Sequence, residues 1–73
     1  FALRGEFITL DALLKATGLA DSGGAAKQLI QSGQVQVDGR EELRRGAKLR
    51  AGQVVAVSGA RVRLLAAEGA GSA

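Results

Sequence analysis

Asp21-Ser22-Gly23-Gly24-Ala25-Ala26-Lys27-Gln28-Leu29-Ile30-Gln31-Ser32-Gly33-Gln34-Val35-Gln36-Val37-Asp38-Gly39 reads as a loop, a short helix, a sharp stop, a strand and a tight turn. Asp21 or Ser22 can cap the helix, because a short side-chain oxygen accepts one of the backbone N–H groups that the first turn leaves without partners. Ala26, Leu29 and Ile30 recur at helical spacing and define its buried face. Gly33 ends it, since glycine takes the left-handed cap conformation without a Cβ penalty. Val35 and Val37 then alternate with Gln34 and Gln36, the period of a half-buried strand. Asp38-Gly39 is a hairpin-turn pair.

The same stretch carries the sharpest functional signal. Gly23 and Gly24 stand where the helix starts, and inside a helix each costs about 1 kcal/mol relative to alanine. A helix start free of bulky side chains lets a phosphate come close to exposed N–H groups, and Lys27 follows one turn later. On the residues alone a second possibility stands beside this one: the glycines finish a loop, and the helix begins at Ala25.

Upstream, Leu3 to Ile8 reads as a short extended lead-in or an edge strand. Thr9 can cap a first helix, with Asp11 near its positive end. Leu10, Leu13 and Leu14 form the apolar stripe and Gly18 the stop. Lys15 lies four residues after Asp11. It can pair with that carboxylate, for about 0.3 kcal/mol, or contact a phosphate beside the second helix. Leu19 is expected to pack between the helices.

Downstream, Arg40 to Arg50 is the densest basic segment, with Arg40, Arg44, Arg45, Lys48 and Arg50 against Glu41 and Glu42. Leu43 and Leu49 are its expected anchors, and Gly46 marks a turn or bulge. Ala51-Gly52 is a further turn, Gln53 to Ser58 a strand through Val54, Val55 and Val57, and Ser58-Gly59-Ala60 a tight connection. Beyond it Arg61 and Arg63 are expected outward, Val62 and Leu64 inward. Two short helices followed by a small antiparallel sheet make an α+β fold. A single domain is expected over residues 1–66, with 67–73 a flexible C-terminal tail.

The chain has 73 residues and a net charge of +3. Alanine inflates its 47% hydrophobic content, so the large apolar set is mainly Leu and Val and the core is thin. The charge is uneven. Residues 1–38 carry Arg4, Lys15 and Lys27 against Glu6, Asp11, Asp21 and Asp38; every other basic residue follows, against Glu41, Glu42 and Glu68. A one-sided basic field fits a polyanion. No apolar run is long enough to span a membrane, and the N-terminus, Phe1, opens no signal-peptide pattern. A cytoplasmic monomer is expected.

There is no His, Cys, Tyr or Trp. Metal sites of ordinary type need His or Cys, a serine nucleophile needs an adjacent base, and disulfide or thiolate chemistry needs cysteine. Glu41 and Glu42 are sequence neighbours in an exposed segment, so their side chains diverge. The phosphate-loop nucleotide pattern is missing. No catalytic residue, metal or cofactor is expected. With two Phe residues, one at the terminus, a base-stacking platform is not expected either. Such a binder should read backbone and shape, which structured RNA offers. The expected surface is Lys15, the start of the second helix (Ser22, Gly23, Gly24, Lys27) and the basic loop (Arg44, Arg45, Lys48), with Arg40 and Arg50 behind them. Arginine suits it because its planar fork grips phosphate oxygens in pairs.

Ser22-Gly23-Gly24-Ala25-Ala26-Lys27, Leu29-Ile30, Gly33, Val35, Val37 and Gly39, then Arg44-Arg45-Gly46 and Lys48-Leu49, together resemble the RNA-binding domain family of ribosomal protein S4, over about residues 7 to 58. The likeness is strongest to its small stand-alone bacterial members, which are ribosome-associated. It implies the αL motif, and ribosomal RNA or ribosomal particles as partners. Many members place Arg after the serine that starts this helix. Here that residue is Gly23, so the expected phosphate contact passes to backbone N–H groups and Lys27. Two alternatives are an accessory domain that docks on a protein and the RNA-binding part of an RNA-modifying enzyme.

Overall fold

A computed structural model describes residues 1–66; the tail expected at 67–73 lies outside them. The elements in chain order are β1 (Ile8–Thr9), α1 (Leu10–Ala16), α2 (Gly23–Gln31), β2 (Val35–Val37), β3 (Arg40–Glu41), β4 (Lys48–Leu49), β5 (Val54–Val57) and β6 (Ala60–Arg63). The fold is α+β, with two helices and antiparallel sheets. One sheet has four strands in the order β3-β2-β5-β6, and β1 pairs with β4 in a second, two-stranded one. That second sheet puts a two-residue strand at the end of the extended segment before the helices.

Local signals account for most of these boundaries. Gly18 and Gly33 follow the helices with φ of 78° and 79°, the left-handed conformation expected of both. Asp38 (φ 53°) and Gly39 (φ 82°) link β2 to β3, and Ser58 (φ 47°) and Gly59 (φ 86°) link β5 to β6. Positive φ at both central residues makes the type I′ turn, whose twist matches that of the flanking strands. The Asp38 carboxylate also ties its turn to β5, accepting from the Val54 N–H at 3.0 Å and from Gln53 Nε2 at 3.2 Å.

The core lies between the helix pair and the four-stranded sheet. Leu10, Leu13 and Leu14 from α1 and Ala26 and Ile30 from α2 meet Val35, Val55 and Val57, with Leu3, Leu49 and Leu64 completing the cluster. Leu19 packs at its margin. No polar or charged side chain is buried among the described residues.

Leu43 corrects the sequence expectation: it is 53% exposed, whereas Leu49 is buried. The basic segment is held by its backbone instead. The Glu42 N–H donates to Val35 O at 3.0 Å, and the chain then turns at Arg45-Gly46, where the Ala47 N–H donates to Arg44 O at 3.2 Å. Small Ala47, not Leu43, becomes the inward residue. An irregular segment has no period, so spacing does not reveal which of its apolar residues turns in.

Gly33 permits a direct test of the cap. A Cβ there would stand 2.6 Å from Glu41 Oε2, the far end of an exposed side chain that can swing aside. The cost of Gly33→Val therefore falls on the backbone, at about 1–2 kcal/mol for a left-handed non-glycine residue. In a domain of this size that lowers Tm by about 4–8 °C per kcal/mol. A thermal melt with unchanged Tm would contradict the cap.

Candidate nucleic-acid interface

The starts of the two helices differ. At α1 the Leu10 N–H donates to Ala47 O at 3.0 Å and the Asp11 N–H to Arg45 O at 3.1 Å. Carbonyls of the basic loop thus occupy first-turn donors that a helix cannot satisfy itself. Thr9 holds the cap position but makes no side-chain cap bond; the Asp11 carboxylate accepts from the Ala12 N–H at 2.9 Å instead. The neighbouring Thr9 side chain, against the opposing effect of burial and with help from that N–H, holds the Asp11 carboxyl below its ordinary range.

At α2 the start is open. The helix begins at Gly23 rather than Ala25, which decides between the two sequence possibilities. Ser22 caps it, its Oγ accepting from the Ala25 N–H at 3.2 Å, and the Ala26 N–H donates to Ser22 O at 2.9 Å. The N–H groups of Gly23 and Gly24 have no partner among the described residues. A Cβ at Gly23 would meet nothing within 4 Å, and at Gly24 only Ser22 Oγ at 3.9 Å. Packing therefore does not demand glycine here; its effect is to leave backbone donors accessible. Ser22, Gly23, Gly24 and Lys27 are all exposed, and so is Asp21, the nearby acid.

Lys15 is exposed in the last turn of α1, just before the loop that leads to α2. It makes no ion pair among the described residues, so of its two expected roles the pairing with Asp11 is absent. α1 is about 10 Å long, which sets the spacing between Lys15 at one end and the basic loop hydrogen-bonded to the other.

Arg40, Arg44, Arg45, Lys48 and Arg50 are exposed as well. Arg40 and Arg44 line one concavity of about 600 Å³ together with Glu41 and Glu42. Arg44 and Lys48 line another of about 530 Å³, so Arg44 links the two. Arg50 lines neither; its backbone N–H donates to Gln53 Oε1 at 2.7 Å. No hydrogen bond or ion pair joins this group to the α2 start among the described residues.

Two features of the basic loop escape the sequence. Arg44 is engaged by Glu42: Nε lies 3.3 Å from Oε2, and the Arg44 backbone N–H donates to the same oxygen at 3.2 Å. The guanidinium holds the Glu42 carboxyl below its ordinary range, so the pair stays ionised at neutral pH. Its small, solvent-screened stabilisation is present above the unfolded carboxyl pKa and is lost as pH falls through the lowered one. The second feature is Phe7. The register Ile8↔Leu49 and Thr9↔Lys48 brings Phe7 beside Lys48, whose ammonium sits 5.0 Å from the ring centre, within cation–π range. The first joins opposite charges two residues apart in an irregular segment, where no helix or strand period brings them together. Nothing local pointed to the second, because the two-residue β1 shows no alternation.

The family model described as S4 domain matches residues 1–65. YbcJ of Escherichia coli (strain K12) is 46% identical over 54 residues, covering 74% of this chain and 77% of that protein. A Bacillus subtilis (strain 168) protein named "Probable ribosome maturation protein RlbA" is 41% identical over 54 residues, covering 74% and 76%. The solution structure of E. coli YbcJ, described as revealing an αL motif involved in RNA binding, matches with a TM-score of 0.69 and 41% identity, over 89% of this chain and 84% of that one. Among the described residues no helix is long and apolar enough to cross a membrane.

Proposed function

The chain belongs to the S4 domain family, and from that premise we propose that it binds structured RNA through phosphate and shape contacts, without catalysis, as a monomeric cytoplasmic domain spanning residues 1–66. The observation that carries this reading is the open α2 start: unbonded N–H groups at Gly23 and Gly24, with Lys27 one turn in and Lys15 on the preceding helix. Phosphate oxygens satisfy both features at once. Arg44, Arg45 and Lys48 extend the surface along α1, with Arg40 and Arg50 at its margin. The names of the relatives support RNA as the polyanion, and RlbA supports ribosomal RNA or a ribosomal particle as its source.

The test compares a folded ribosomal RNA hairpin with an unstructured pyrimidine strand of equal length at one salt concentration. The hairpin is expected to bind more tightly, because the contacts follow backbone geometry. Equal or tighter binding of the strand overturns shape recognition. Failure to bind either RNA overturns the RNA reading in favour of protein docking.

A further inference from the structure

Phe7 is 43% exposed, with Phe1 (38%) and Leu65 (52%) also open to solvent. Phe7 lines a groove of about 520 Å³ whose other walls include Phe1, Arg4, Ile8 and the Ala12 and Ala16 positions of α1. Lys48 sits over the Phe7 ring but does not line this groove. It lines another concavity with Arg44, so the cation over the Phe7 ring also belongs to the proposed phosphate surface. Glu6 is exposed on the same segment and does not line the groove.

We infer that this groove takes an unpaired nucleobase of the bound RNA, stacked against Phe7, with the adjoining phosphates on Lys48 and Arg4. The inference rests on the RNA-binding reading and narrows its ligand to a folded RNA carrying a bulged or looped-out base. Charge decides for a nucleotide over an aliphatic side chain: a base joined to its phosphates matches an aromatic ring with Lys48 over it and Arg4 in the same groove lining. Stacking of a base on an aromatic side chain tolerates any base, because each has a π-face. The site therefore selects for an unpaired position rather than for a sequence. The proposal departs from the sequence expectation of no stacking platform in asking for one ring only, which the pairing of β1 with β4 places beside Lys48.

The experiment measures affinity, at low salt, for an RNA hairpin with one unpaired adenosine and for the same hairpin with an abasic residue there. The wild-type protein should prefer the adenosine hairpin by about 5- to 100-fold. Phe7→Leu keeps the apolar volume but removes the π-face, and should abolish most of that preference while leaving affinity for the abasic hairpin unchanged. Ala16→Leu, at an exposed helix position, fills the groove without adding charge and should act likewise. It keeps the test decisive should Phe7→Leu lower the melting temperature. Arg45→Ala should weaken both hairpins equally. A wild type that binds both hairpins alike overturns the stacking site and leaves RNA binding standing. Equal losses on both hairpins in the Phe7 and Ala16 variants assign these positions to the fold and also overturn it. Variants with unchanged affinities give the groove to another occupant, such as an apolar protein side chain, and failure of the wild type to bind either hairpin overturns both readings.

Discussion

Raising the salt from about 50 to about 200 mM should weaken binding to a structured RNA by about 100- to 500-fold, if Lys15, Lys27, Arg44, Arg45 and Lys48 each neutralise one phosphate at about 0.7–0.9 of a log unit per log unit of salt. The effect comes from release of condensed counterions, so it counts contacts rather than their individual strengths. Arg45→Ala should flatten the slope by about one contact, because that side chain is exposed with no ion pair among the described residues. Arg44→Ala should flatten it by less, because Glu42 already offsets part of its charge. Glu42→Gln should act oppositely, raising affinity by releasing Arg44. Titrations at several salt concentrations measure all four proteins; a wild-type slope near zero would overturn the phosphate surface.

Leu13→Ala should cost about 2–5 kcal/mol, the range for a large-to-small change at a fully buried site. Leu13 is inaccessible to solvent, at the centre of the α1 stripe. A chain of 73 residues has only about 4–11 kcal/mol of stability in total, so this variant should lose a large share of it. Leu43→Ala should change stability by no more than about 0.5 kcal/mol, since Leu43 is more than half exposed. Denaturant unfolding of the two variants separates the core leucine from the surface one. A comparable loss at both positions would contradict the burial pattern.

The same contrast marks how far the sequence was legible. The α+β class, both helices, the caps at Ser22, Gly18 and Gly33 and the turns at Asp38-Gly39 and Ser58-Gly59 all rest on signals within a few residues of one another, where backbone preference and side-chain period decide locally. Gly23 and Gly24 could be read as a helix start or a loop end; the cap bond at Ser22, with space around both glycines, decided for the helix. The candidate cations were legible as residue types because charge clusters survive without a fold. Their state was not. Glu42 on Arg44, the Arg45 and Ala47 carbonyls on the start of α1, and Phe7 under Lys48 are set by loop geometry and by the pairing of β1 with β4. Leu43 was misread for that reason too: inward and outward have meaning along a helix or strand, but in an irregular loop only the completed packing gives them one. Local chemistry in the sequence determined which elements form and which side chains could meet a phosphate. The tertiary structure alone decided that carbonyls of the basic loop close the start of α1 and that Phe7 stands beside Lys48, because those contacts join segments more than thirty residues apart, and no local preference reaches that far.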